Sequence, residues 1–238
     1  MATRPWNAIP IRDAGEPLEP LPESLWRLEP HPYVALGAPY GVSGSPFRLR
    51  SGVIRRLLDA QELLRLEQPA WRLAIFDAWR PLAVQAFMVE HSIASTCRER
   101  GLDPAVAGAA RDAVVAEVGR FWAPPNPDPC APPPHSTGAA VDLTLAGATG
   151  EPLEMGSAID AIGAVSEPDH FLHACRTCPD PDLEVRYRRW HGRRSLLGRV
   201  MEQAGFVQHP NEWWHFSWGD QLWAWRCGRT AARYGRIT

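Results

Sequence analysis

No lysine occurs in this chain of 238 residues; all 25 basic residues are arginine, which excludes covalent catalysis through a lysine Schiff base. A strong charge of one sign is missing too. The 25 basic and 27 acidic residues leave a formal net charge of -2, which argues against a nucleic-acid or polybasic membrane partner and for a small one. No apolar run approaches the roughly 20 residues that a membrane helix needs. The N-terminus, rich in Pro, Glu and Arg, lacks the apolar core of a signal peptide, so a soluble cytoplasmic protein is expected. Cysteine is scarce and odd in number: Cys97, Cys130, Cys175, Cys178 and Cys227 are expected to be reduced thiols in a chain long enough to need no disulfide staples.

The chain is 45% hydrophobic and 22% charged, proportions that leave room for one generous domain, and no internal repeat or composition break divides it. Residues 1–32 hold seven prolines and predict an extended arm lying over a domain formed by 33–238. From Ser51, Val53, Ile54, Leu57, Leu58, Leu63 and Leu64 recur at helical spacing up to Pro69. Trp71 to Phe76 reads as a buried strand that delivers Asp77-Ala78-Trp79-Arg80-Pro81 at its end. Pro81 suits a helix start, and the helical pattern after it runs to Gly101; another helix is expected from Asp103-Pro104 to Phe121. Seven prolines within 123–134 predict a stiff extended crossing, followed by a strand at Ala139 to Leu145. An irregular segment with Asp160, His170 and His173 precedes a helix around Tyr187 to Ala204, and Trp213 to Trp218 reads as a last core strand. Intermixed helices and strands predict an α+β domain whose small antiparallel sheet is flanked by helices.

The chemistry concentrates in two places. His135-Ser136-Thr137-Gly138-Ala139-Ala140-Val141-Asp142 puts a histidine on a loop, a glycine at a turn and an aspartate inside an apolar strand. A carboxylate between Val141 and Leu143 is costly to bury alone, by several kcal/mol; a cation shared with His135 would offset that cost. Glu212-Trp213-Trp214-His215 supplies a second histidine and a glutamate. Strand alternation would put Trp213 and His215 on one face and Trp214 in the core. Two histidines and a carboxylate with an open water position form a common catalytic zinc set, and an unligated glutamate nearby is the base it requires. Each signal alone also fits a structural role: Arg80 pairing with Asp77, Asp142 capping a turn, the Trp pair packing in the core.

Taken together, the motifs resemble the D-alanyl-D-alanine dipeptidases, zinc enzymes related to the D,D-carboxypeptidases. The family pattern of His, six residues, Asp, then Glu-x-Trp-His is met by HSTGAAVD at 135–142 and EWWH at 212–215, and Asp-x-aromatic-Arg-Pro by residues 77–81, over roughly residues 33–220. The resemblance implies that His135, Asp142 and His215 bind one zinc per chain, that Glu212 is general base and acid, and that Arg80 stabilises the oxyanion. It implies further that Asp160 receives the dipeptide's free amino group and that Tyr33 contacts substrate. Ser136 and Trp213, beside the ligands, are further candidate contacts. The implied activity is hydrolysis of D-Ala-D-Ala; the alternatives are cleavage of D,D or L,D bonds in longer muropeptides, or a zinc-stabilised binding module without turnover.

The chain departs from the family in places. Pro133 and Pro134 stand where the family often has serines, and Pro39-Tyr40-Gly41-Val42-Ser43-Gly44 replaces an Asn-Phe-x-Gly stretch. Both changes bear on dipeptide preference, and Arg48 or Arg50 could receive a substrate carboxylate. His170, His173, Cys175 and Cys178 have the ligand types for a second metal site, at tight spacing and outside the family pattern.

Overall fold

The computed structural model describes residues 4–41 and 44–237; Val42 and Ser43 of the altered stretch lie outside it. In chain order it contains β1 (Leu18–Pro20), β2 (Trp26–Arg27), α1 (Pro32–Ala35), β3 (Arg48–Arg50) and α2 (Ser51–Glu67). There follow β4 (Arg72–Asp77), α3 (Leu82–Glu99), α4 (Ala109–Phe121), β5 (Ala140–Ala146) and α5 (His170–Thr177). The last elements are α6 (Pro181–Gln203), β6 (Val207–Gln208), β7 (His215–Ser217) and α7 (Gln221–Arg226).

The central sheet has the order β2-β4-β5-β7-β6, antiparallel except for the β2–β4 pair, and β1 and β3 form a separate antiparallel ribbon. This is the expected α+β architecture. Strand β5 is buried on both faces. Its odd positions, Val141, Leu143 and Leu145, join the core made with α2 and α6, which leaves Asp142 and Thr144 on the opposite face. Helix α2 contributes Val53, Ile54, Leu57 and Leu64 to that core, at the spacing read from the sequence. Its first turn is capped from a distance: Glu16 accepts the Gly52 N–H (2.8 Å) and the Ser51 hydroxyl (3.3 Å). A second apolar cluster joins α3 and α4 to Tyr33 and Tyr40.

Several expectations need correction. The N-terminal segment is more than a covering arm: β2 pairs with β4 in the central sheet, and Leu21 and Leu25 lie in the main core. Helix α4 starts at Ala109, because the Asp103 side chain takes the Ala105 N–H in a preceding turn. Helix α6 starts earlier than expected, with Asp180 accepting the N–H groups of Asp182 and Leu183 ahead of Pro181. Its exposed, arginine-rich first half hides the apolar rhythm. The stretch read as irregular contains α5. Strand β7 is short, and Trp213 and Trp214 sit in the turn before it. None of the described helices is long and apolar enough to cross a membrane.

Candidate functional site

Sheet register builds the site. Asp142 on β5 pairs directly with His215 on β7 and, across a bulge, with Asp77 on β4, so three titratable residues form one row across three strands. His135 arrives from a 3-10 turn, Pro134–Thr137, that ends at Gly138 with φ +68°. The left-handed backbone there favours glycine, and a Cβ would also press on the Leu18 side chain at 2.6 Å.

The donor atoms of His135, Asp142 and His215 converge, all three residues buried. His135 Nε2 lies 3.2 Å from His215 Nδ1 and 3.2 Å from Asp142 Oδ2, and His215 Nδ1 lies 3.0 Å from Asp142 Oδ1. Ligands about 2.0 Å from a tetrahedral zinc stand about 3.3 Å apart. The outer nitrogens are held as such a site requires. His135 Nδ1 donates to the Ala78 carbonyl at 2.7 Å. His215 Nε2 donates to Ser217 Oγ at 3.4 Å, and that hydroxyl donates to Asp220 at 2.7 Å. Asp142 Oδ1 and Glu212 Oε1 are both buried without a hydrogen-bond partner. Such orphaned carboxylate oxygens beside two inward-facing imidazole nitrogens fit a metal cation. Burial alone would raise the Asp142 carboxyl, but the adjacent imidazoles of His135 and His215 hold it well below the usual range.

Glu212 stands 3.6 Å from His215 Nδ1, and its carboxyl is pushed well above the ordinary value by burial and then by Asp142. Arg80 lies on the other side. Its Nε and Nη2 donate to Asp77 Oδ2 (3.0 and 2.7 Å), its Nη1 to Gln85 (3.0 Å), and Nη2 reaches Asp142 Oδ2 at 3.4 Å. Asp77 also accepts the Tyr40 hydroxyl and His31 Nε2–H, each at 3.1 Å. Asp77→Ala therefore strands a buried guanidinium; unfolding in urea should show a loss of about 3–5 kcal/mol.

The other candidates separate. Asp160 lines the cleft that contains the triad, and is the one non-glycine with positive φ (66°) among the described residues. Tyr33 lies behind it and donates to Asp160 Oδ2 at 2.6 Å. Burial and then Asp142 push the Asp160 carboxyl up to about 7. Ser136 faces away, its hydroxyl donating to the Arg80 carbonyl at 2.8 Å. Trp213 lines a neighbouring cavity, whereas Trp214 lines the cleft of the triad, the reverse of the expected faces, because strand alternation does not extend into the turn before His215. The Trp213 indole donates to Ser157 Oγ at 2.9 Å, so it supports the segment that carries Asp160. Arg50 is consumed by Thr137 O, Asp13 and Gly235 O, and Arg48 bonds Leu18 O; neither lines the cleft. In the second histidine and cysteine cluster, the Cys175 and Cys178 thiols bond the carbonyls of Glu184 and Asp180, and among the described residues the arrangement able to hold a metal is His135, Asp142 and His215.

Sequence reasoning missed three groups here. His209 lies with Nδ1 3.4 Å from Glu212 Oε1 and stacks edge-on to His215; its spacing three residues before Glu212 was the available signal. Arg4 lines the same cleft and carries no such signal. The third, Arg194, is buried and bonds the carbonyls of Met155 (2.8 Å), Val165 (2.9 Å) and Glu167 (2.9 Å) and Ser157 Oγ (3.0 Å), spanning the loop around Asp160.

The model of peptidase family M15 described as D-ala-D-ala dipeptidase matches residues 27–232. A D-alanyl-D-alanine dipeptidase of Synechocystis sp. (strain ATCC 27184 / PCC 6803 / Kazusa) is 43% identical over 98% of this chain and 97% of its own. That of Escherichia coli (strain K12) is 37% identical over 34% of this chain and 36% of its own. The crystal structure of the vancomycin resistance D,D-pentapeptidase VanY, a glutamate-to-alanine mutant in complex with Zn(II), aligns with a TM-score of 0.47 at 14% identity, covering 92% of this chain and 90% of that one. On the family match and the near full-length relative, the chain is a peptidase and belongs to the D-Ala-D-Ala dipeptidase family.

Proposed function

We propose that this chain is a zinc-dependent dipeptidase that hydrolyses D-Ala-D-Ala. The observation that carries the metal is the buried triad of His135, Asp142 and His215 with the orphaned oxygens of Asp142 and Glu212; the substrate comes from the family and its relatives. Bound zinc supplies Lewis acidity and lowers the pKa of a coordinated water. The rest of the chemistry belongs to side chains. Glu212 takes a proton from the attacking water and returns it to the leaving amine. A cation among the ligands would neutralise Asp142, the second cause of the raised Glu212 carboxyl, and so return Glu212 toward its basic form. Arg80, held by Asp77 and Gln85, keeps a permanent charge facing the oxyanion. Asp160, oriented by the Tyr33 hydroxyl, receives the free amino group.

Arg194 acts on this last step through the loop. Arg194→Leu removes the donors that hold residues 155–167 around Asp160 and is expected to raise KM more than it lowers kcat, with a stability loss of about 1.5–3 kcal/mol. Steady-state kinetics with a urea titration would check both.

The deciding assay measures free alanine released from D-Ala-D-Ala and from L-Ala-L-Ala by zinc-loaded protein. Release from the D,D isomer alone is the expected result. Release from neither rejects the dipeptidase reading and directs the assay to longer muropeptides.

A further inference from the structure

The inference rests on the dipeptidase reading above and concerns the substrate's other end. A dipeptide is a zwitterion, so a site with Asp160 for the ammonium group needs a cation for the carboxylate. The arginines considered first are placed otherwise. Arg80, held by Asp77 and Gln85, has the oxyanion role, and Arg48 and Arg50 bond the ribbon and the C-terminal segment and do not line the cleft.

Arg4 differs. It lines the cleft together with His135, Asp142, Asp160 and Glu212. Its Nη2 is shielded from solvent and has no partner among the described residues. Glu212 attracts it, yet Glu212 Oε1 is likewise without a hydrogen-bond partner, so the two do not satisfy one another. The guanidinium is held in place rather than trailing. It lies 5.6 Å from the centre of the Trp6 ring, and that ring meets His209 edge-on at 5.8 Å. Gln221 at the start of α7 donates to the carbonyls of Asn7 (3.2 Å) and Ile9 (2.6 Å), which anchors the segment. A partly buried cation with a solvent-shielded, unpartnered donor, fixed in the same cleft as the His135, Asp142 and His215 triad, is a receptor for an anion.

We propose that Arg4 binds the C-terminal carboxylate of the dipeptide and makes a free carboxylate a condition of binding. The segment that carries no recognisable motif thus sets the exopeptidase selectivity. It also supplies a polar contact in a cleft where Pro134 offers no hydroxyl.

A ligand-by-variant cycle tests this. Zinc-loaded Glu212→Gln protein, which should bind without turnover, is titrated calorimetrically with D-Ala-D-Ala and with its C-terminal amide, with and without Arg4→Gln; Arg4→Lys serves as the conservative variant. The free acid should bind on the order of 10- to 100-fold more tightly than the amide with Arg4 present, and Arg4→Gln should abolish that ratio at an unchanged melting temperature. Arg4→Lys should restore part of it. If acid and amide bind alike with Arg4 present, or if Arg4→Gln weakens both by one factor, the proposal is overturned, and in the second case Arg4 serves Glu212 instead. Failure of the alanine-release assay with the acid-over-amide ratio intact would reject the dipeptidase reading while leaving the carboxylate receptor standing.

Discussion

Glu212→Ala is expected to lower turnover by about 10²–10⁴-fold, the usual worth of a positioned general base, with bound zinc unchanged. The reason is position. Glu212 stands 3.6 Å from a ligand nitrogen of the triad, whose three donors are supplied by other residues, so its removal takes no ligand away. Its Oε1 is buried and unpaired, so the folded state gains little from the carboxylate, and the variant should melt no lower than the parent. A residue kept for structure would show the opposite pattern, with stability lost and activity roughly retained. Alanine release, zinc content and a melting curve on the same preparation separate the two. Activity within threefold of the parent would remove Glu212 from the mechanism.

Metal removal should have the other large effect. Chelation is expected to abolish activity and to lower the melting temperature by roughly 10 °C, taking about 4 kcal/mol for an ion present at a thousandfold its Kd and about 2–4 °C per kcal/mol for a domain of this size. Two imidazole nitrogens 3.2 Å apart and a buried carboxylate lose their common partner when the cation leaves. Zinc should restore the chelated protein. His135→Ala, which deletes one donor, should stay inactive after the same addition. A protein whose melting and activity ignore the chelator would not use this triad as a metal centre.

Legibility in the sequence tracked the range of the interactions. Helices α2 and α3 were read from apolar spacing, since one buried stripe per helix is a local pattern. Strands β1 and β2 were not, being three and two residues long and held by partners far along the chain. In the site, Asp142 and His215 stood out because a carboxylate and an imidazole in apolar strands demand a partner. The Trp213 and Trp214 faces came out reversed because alternation was extended into a turn.

By itself, then, the sequence determined the family and the residue types that carry it: two histidines and an aspartate able to hold a metal, the glutamate beside them, and the order of the three motifs. Those features are written in short windows, where spacing and side-chain type carry the physics. Tertiary structure alone decided what shares the cleft with them. It brings in Arg4 and His209, places the Tyr33 hydroxyl on Asp160 and sets the Arg194 clamp around that loop. Apart from His209, three residues before Glu212, these are contacts between positions whose separation leaves no period to read, gathered around a triad row that the register of β4, β5 and β7 fixes.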